Sequence, residues 1–158
     1  MSIDSKLQRK IMGHFATGVT VVTTGGPAGQ HGLTANAVAS LSLDPPLVLV
    51  AVDKRAATLE YLLANRCFAI NILRLDQEEI SRRFATPGPK EFADLNLTAA
   101  VTDSPILADC LAFVDCQVAE ILPGGDHDIF VGKIVAGQIH GGEPLLYYGG
   151  GYRRLQDT

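Results

Sequence analysis

The sequence predicts a mainly β domain, an antiparallel β-barrel with a few peripheral helices. Runs of β-branched or alternating apolar residues recur roughly six times, and the helical patterns between them are short. No regular strand-helix alternation marks a parallel sheet, and there is no internal repeat. With 158 residues and 47% hydrophobic content the chain can bury one core, so a single domain over residues 1–158 is expected.

Taken in order, residues 5–14 form an amphipathic helix. Ser5-Lys6-Leu7-Gln8 has the form of a capping box, and Leu7, Ile11 and Phe15 recur four apart before Gly18. Residues 19–24 are β-branched throughout and run into Gly25-Gly26-Pro27, so 31–37 is the expected hairpin partner. Thr34 to Ser42 then falls where a strand opens into a loop, with Thr34, Asn36, Ser40 and Ser42 spaced to make one row of short polar side chains. Pro45 and Pro46 break any helix, and 47–52 reads as a strand buried on both faces.

Leu59, Leu62 and Leu63 give a short helix stopping near Asn65, and 67–73 returns as a strand. Asp76-Gln77-Glu78-Glu79 opens a second helix with acidic residues at its positive end, and Thr86-Pro87-Gly88-Pro89 stops it after Phe84. Residues 90–105 lack periodicity and read as a long loop over a site. Val114, Cys116 and Val118 alternate with polar residues in a strand over 112–122, and Pro123-Gly124-Gly125-Asp126 is a turn. Residues 129–139 pair back, and 145–148 makes a last strand.

A net charge of -4 with scattered basic pairs excludes phosphate-neutralising nucleic-acid binding. The N-terminus has no signal-peptide core and no run reaches the length of a membrane span, so a cytoplasmic protein is expected. Cys67, Cys110 and Cys116 are odd in number and lack CxxC spacing, as suits buried, reduced thiols. His14, His31, His127 and His140 lie too far apart to suggest a metal site, and no GxGxxG, P-loop or GxSxG motif is present.

The run TANAVASLSLDPPLVLVAVD (34–53) resembles the signature segment of the flavin reductase domain family, the short-chain NAD(P)H:flavin oxidoreductases that serve as reductase components of two-component monooxygenases. Phe15-Ala16-Thr17-Gly18-Val19, Phe68-Ala69-Ile70-Asn71-Ile72-Leu73, Gly125-Asp126-His127-Asp128-Ile129-Phe130-Val131-Gly132 and Pro144-Leu145-Leu146-Tyr147-Tyr148 follow in the family's order. The resemblance implies an FMN-binding split barrel of antiparallel Greek-key type, and a homodimer with flavin at the subunit boundary. It implies hydride transfer from NADH or NADPH to FMN or FAD, with reduced flavin passing to a partner monooxygenase. FMN versus FAD and NADH versus NADPH stay open. So do a same-fold flavoprotein reducing ferric iron or a corrinoid, and a non-enzymatic flavin binder.

By the same resemblance, Thr34, Ala35, Asn36, Ala37, Ser40, Leu41 and Ser42 lie along the flavin ring and ribityl chain. Val52, Asp53 and Ala57 also belong to the flavin site, and Lys54 and Thr58 flank a helix start that favours its phosphate. Phe84 and Tyr148 complete the set; in the family's pattern Arg82 or Arg83 meets the phosphate or the adenylate end, or serves only the helix dipole, and Tyr148 and Tyr152 offer aromatic surface to a ring or pack at an interface. His127 alone reads as a polar turn residue; the resemblance places it beside the nicotinamide. Phe113, Val114 and Ile129 are candidate core or interface positions.

Overall fold

The computed structural model describes residues 2–156. Helix α1 (Ser5–Met12) is capped by Asp4, whose carboxylate accepts from the Lys6 amide at 3.3 Å, so the cap lies one residue before the expected box. Its C-terminus falls before His14. The helix buries no residue, and the apolar side chains of Leu7, Ile11 and Phe15 stay exposed.

The remaining elements are strands β1 (Thr17–Gly18), β2 (Thr20–Thr24), β3 (His31–Ala35), β4 (Val38–Leu43), β5 (Pro46–Asp53) and β6 (Cys67–Ile72), with α2 (Thr58–Asn65) between β5 and β6. A 3-10 turn leads into α3 (Glu78–Ala85), and β7 (Leu97–Thr98), β8 (Ile106–Leu107), β9 (Ala112–Gly124), β10 (His127–Ile139), β11 (Leu146–Tyr148) and β12 (Gly151–Arg153) follow. Strand β12 was not expected from the sequence.

Seven strands form one antiparallel sheet in the order β3-β2-β6-β9-β10-β5-β4. Its edges β3 and β4 are not hydrogen-bonded to each other, so the expected barrel is met in its antiparallel strands and not in closure of the ladder. Yet only Asn36 and Ala37 separate β3 from β4 in the chain. A flat seven-stranded sheet would hold its edges about 29 Å apart, whereas the three Cα steps from Ala35 to Val38 span at most about 11 Å. The sheet is therefore rolled until its two edges lie beside one another.

The roll gives the sheet an inside and an outside. Val22, Val50, Val52, Phe68, Ile70 and Phe130 fill the inside. Gly132 is required there, since a Cβ on it would lie 2.5 Å from Phe68 Cζ. Val21, Ala69, Leu73, Phe113 and Leu145 face outward and are covered by Phe84, Ile106 and Leu107. Of the candidate interface positions, Phe113 thus belongs to the core, while Val114 and Ile129 are half-buried.

Residues 90–105 are largely irregular as expected, with Lys90 at the wall of a groove described below, but most of the segment packs on the sheet. Phe92, Leu95 and Leu97 pack on the outer core, and β7 pairs with β8. Asp115, fully buried on β9, accepts from the Val101 and Thr102 amides at 2.8 and 2.7 Å. Asn71 accepts the Leu107 amide at 2.9 Å, and Thr23 donates to the Pro105 carbonyl at 2.5 Å. Buried backbone groups of an irregular segment need such partners. All three cysteines are buried free thiols, with burial pushing Cys110 up to about 11 and Cys116 up to about 12.

Candidate active site

Three grooves share lining residues near the crossing between the sheet edges. A central one of about 180 Å³ contains Thr34, Ala35, Asn36, Ser81, Tyr147 and Tyr152. A polar one of about 470 Å³ continues from Thr34 to His31, Asp53, Arg55, Ala57, Thr58 and the 86–90 segment. A largely apolar one of about 480 Å³ continues from Asn36 to Ser40, Val38, Phe15, Ile72 and Ile134. Thr34 is thus a shared wall of the central and polar grooves and Asn36 of the central and apolar ones, so the three adjoin at the end of β3 and together make a trough.

The crossing is small and open. Asn36 and Ala37 are exposed, so a flat ligand meets backbone there without a bulky side chain in the way. Thr34 Oγ1 is committed to the Ser81 carbonyl at 2.6 Å, and the Ala35 carbonyl accepts from Thr20 at 2.6 Å. The expected row of short side chains does not persist into β4. A bulge between Ser40 and Ser42 pairs Ser40 with Val48 and Ser42 with Leu47, which puts the two serines on opposite faces. Ser40 lines the apolar groove, while Leu41 and Ser42 line none of the three.

At the polar end, α2 begins without a side-chain cap, because Ala57 occupies the cap position and offers no oxygen. Thr58 is the first helical residue and not the cap. Its hydroxyl is internal, donating to the Gly32 carbonyl at 3.1 Å and contacting His31 Nδ1 at 2.8 Å. Lys54 is exposed and lines none of these three grooves; its amide donates to the Asp126 carbonyl at 3.0 Å. Arg55 replaces it at the groove, forked onto Asp53 at 3.3 and 3.0 Å. The Arg55 guanidinium and amide hold the Asp53 carboxyl at about 2, well below the usual carboxylate range.

Three other expectations are corrected. Val52 is fully buried inside the roll, and Phe84 is 2% exposed in the outer core, edge-on to Phe92 at 5.3 Å. Neither side chain is free to meet a ligand. Tyr148 lies outside the grooves, edge-on to His14 at 6.2 Å, while its neighbour Tyr147 and the more distant Tyr152 line the central groove. The signal was present: Gly149 and Gly150, both at positive φ, form a two-residue turn that sets Tyr147 opposite Tyr152. Tyr152 Oη bonds Ser81 Oγ at 2.7 Å, and Arg82 lies 4.9 Å over its ring. Arg82 also pairs with Glu78, and Arg83 forks onto Asp94 at 2.7 and 2.9 Å.

His127 opens β10 directly across from Asp53, beside the polar groove. Its Nδ1 lies 2.7 Å from Asp126 Oδ1 and the side chain is partly exposed. His31, which the sequence reading passed over, is 5% exposed on the wall of the polar groove and stacks on Tyr61 at 4.6 Å. His31 Nδ1 and the Thr58 hydroxyl are hydrogen-bonded at 2.8 Å, and the Thr58 hydroxyl also reaches the Gly32 carbonyl. Burial, with the nearby Lys90 charge, pushes the His31 pKa down.

Rolled antiparallel strands with few helices and an open seam define a mainly β protein of antiparallel type. The flavin reductase like domain matches residues 12–156, and the chain belongs to that family. The reductase component of 4-nitrophenol 4-monooxygenase/4-nitrocatechol 2-monooxygenase from Rhodococcus opacus is 41% identical over 94% of this chain and 80% of its own length. Flavin reductase (NADH) from Kitasatospora aureofaciens is 40% identical over 96% of this chain and 82% of its own. Among solved structures, flavin reductase PheA2 superposes with a TM-score of 0.91 at 39% identity, covering 98% of this chain and all of that one. The NADH:FAD oxidoreductase SgcE6 of Streptomyces globisporus, in complex with NAD and FAD fragments, gives 0.90 at 35% identity over 99% and 97%.

The depressed pKa of His31 makes folding pH-dependent. Below its ordinary value of 6.5 the unfolded chain takes up a proton that the folded ring resists, so this contribution is full above pH 6.5 and declines below it. Urea midpoints measured from pH 8 to pH 5.5 are expected to fall on the acid side, and to fall less in His31→Gln. Parallel slopes in the two proteins would assign the decline to other groups.

Proposed function

We propose that this protein is an NAD(P)H-dependent flavin reductase that binds FMN or FAD in the trough and supplies reduced flavin to a partner monooxygenase. The observation that carries the reading is the continuity of the trough from the bare Asn36–Ala37 crossing to the uncapped start of α2 beside Arg55. Small side chains at one end admit a flat ring, and amides and a guanidinium at the other suit its phosphate. The flavin would supply hydride acceptance from a nicotinamide. Backbone donors at residues 34–37 would face the polar edge of the ring, and fixed donors stabilise charge that develops there.

His127 has an orienting role in this reading. With Nδ1–H held by Asp126, Nε2 is left to accept from a nicotinamide carboxamide. The reading includes a homodimer. It is supported by α1, which keeps Leu7, Ile11 and Met12 exposed, and by the exposed Phe15 after it, which lines the apolar groove. A cytoplasmic location belongs to it too: among the described residues no helix is long and apolar enough to cross a membrane.

The purified protein is expected to bind FMN or FAD at micromolar concentration, to bind riboflavin at least about tenfold more weakly, and to oxidise NADH or NADPH in their presence. Failure of both flavins to bind would end the reading. Light scattering at assay concentration should give twice the 16.8 kDa chain mass, and a stable single-chain mass would remove the dimer. Stopped-flow reduction of His127→Ala at saturating flavin should show a several-fold slower hydride transfer and a higher KM for the nicotinamide, since a hydrogen bond contributes about 1 kcal/mol net. Wild-type values for both would return His127 to the role of a turn residue.

A further inference from the structure

We infer that Ser81 is a positioning residue for hydride transfer: through its carbonyl and its hydroxyl it holds the two walls of the central groove at a fixed spacing about the flavin ring. The inference rests on the flavin reading above. Three elements that share no ladder assemble this groove. Thr34, Ala35 and Asn36 come from β3 and the crossing, Ser81 and Ala85 from α3, and Tyr147 and Tyr152 from the separate three-stranded sheet β1-β11-β12. Strand pairing therefore does not set the distance from the crossing to the tyrosines. Side chains must set it.

Ser81 reaches both walls at once. Thr34 Oγ1 donates to its carbonyl at 2.6 Å, and its own Oγ lies 2.7 Å from Tyr152 Oη. The residue is fully buried inside α3, where alanine would be the better helix former and a hydroxyl is tolerated only with a partner. Tyr152 is that partner. Its strand needs the tie, because β12 is the outer strand of its sheet and pairs with β11 alone. Arg82, the next residue of α3, adds a second hold: it lies 4.9 Å over the Tyr152 ring and is itself paired with Glu78 at 2.7 Å.

Tyr147 takes its position from Tyr152. The two are opposite one another in the β11–β12 pair, and their rings meet edge to face at 5.5 Å. Tyr147 keeps 36% of its surface exposed at the groove, so a displacement of Tyr152 passes to the ring that a ligand meets. A flavin ring between the crossing and the tyrosines touches both walls. Without the Ser81–Tyr152 bond, β12 is free to move off α3 while the seven-stranded sheet keeps its shape, and the ring is then held firmly on one side only. Hydride transfer is sensitive to a misplacement of about 1 Å, so the looser wall lowers the rate as well as the affinity.

Tyr152→Phe keeps the ring and removes only its oxygen, and Ser81→Ala removes the other end of the same bond. These two and the double variant are compared with the wild type by flavin titration, by fluorescence anisotropy of the bound flavin, and by stopped-flow reduction with NADH at saturating flavin, with thermal midpoints measured alongside. Each single variant is expected to bind flavin at least about threefold more weakly, to hold it with lower anisotropy, and to accept hydride at least about threefold more slowly. The double variant should be no worse than either single one, since both remove one bond. Wild-type affinity, anisotropy and rate in Tyr152→Phe would overturn the inference whatever the thermal midpoint, and so would additive losses in the double variant. Either result leaves the flavin reading standing. That reading fails if the wild type binds neither flavin, and this inference fails with it. Tyr152 is half-buried on an outer strand, so its variant decides the matter even if Ser81→Ala does not fold.

Discussion

Two residues hold opposite edges of a seven-stranded sheet together. Because Asn36 and Ala37 are all that joins β3 to β4, the sheet has one shape open to it, a roll with its edges side by side. The inner packing of Phe68 and Phe130, the need for glycine at 132 and the presence of a seam all follow from that constraint. The trough follows too. A hydrogen-bonded ladder would have sealed the seam, and the missing ladder leaves backbone and small side chains in a cleft between rigid walls.

Much of the fold was legible because its signals are local. β-branched residues at 19–24, the alternation at Val114, Cys116 and Val118, and the turn at 123–126 each specify their element without help from elsewhere. Rolling of the sheet was less so, since strand order is a property of pairings between distant segments. The packing of the irregular 90–105 segment on the sheet was hidden for the same reason. Its partners Asn71 and Asp115 are polar residues inside strands, and nothing in their own neighbourhoods says that they reach across to Leu107, Val101 and Thr102.

The candidate site divides along similar lines. Thr34, Asn36, Ser40, Asp53, Ala57 and Thr58 do gather at the trough, brought there by consecutive elements. Leu41 and Ser42 fall out of it because one bulge reverses the facing of every residue beyond it. Exchange of Lys54 for Arg55 and of Tyr148 for Tyr147 are slips of one position, each decided by which way a side chain leaves the backbone at the end of a strand. His31 was hidden by its ordinary setting, a single histidine in a strand whose burial depends on Tyr61 and Thr58 nearly thirty residues away.

The anchoring of residues 101–107 to the outer face of the sheet has a consequence for variation within such a protein. Lys90 and Gly88 at the lip of the polar groove belong to the same connection that Asp115 and Asn71 fasten from behind. Shortening or lengthening that connection would reset the lip while leaving every strand of the roll untouched. Ligand preference can thus drift through insertions and deletions on the far side of the sheet, a tuning screw separated from the walls it adjusts.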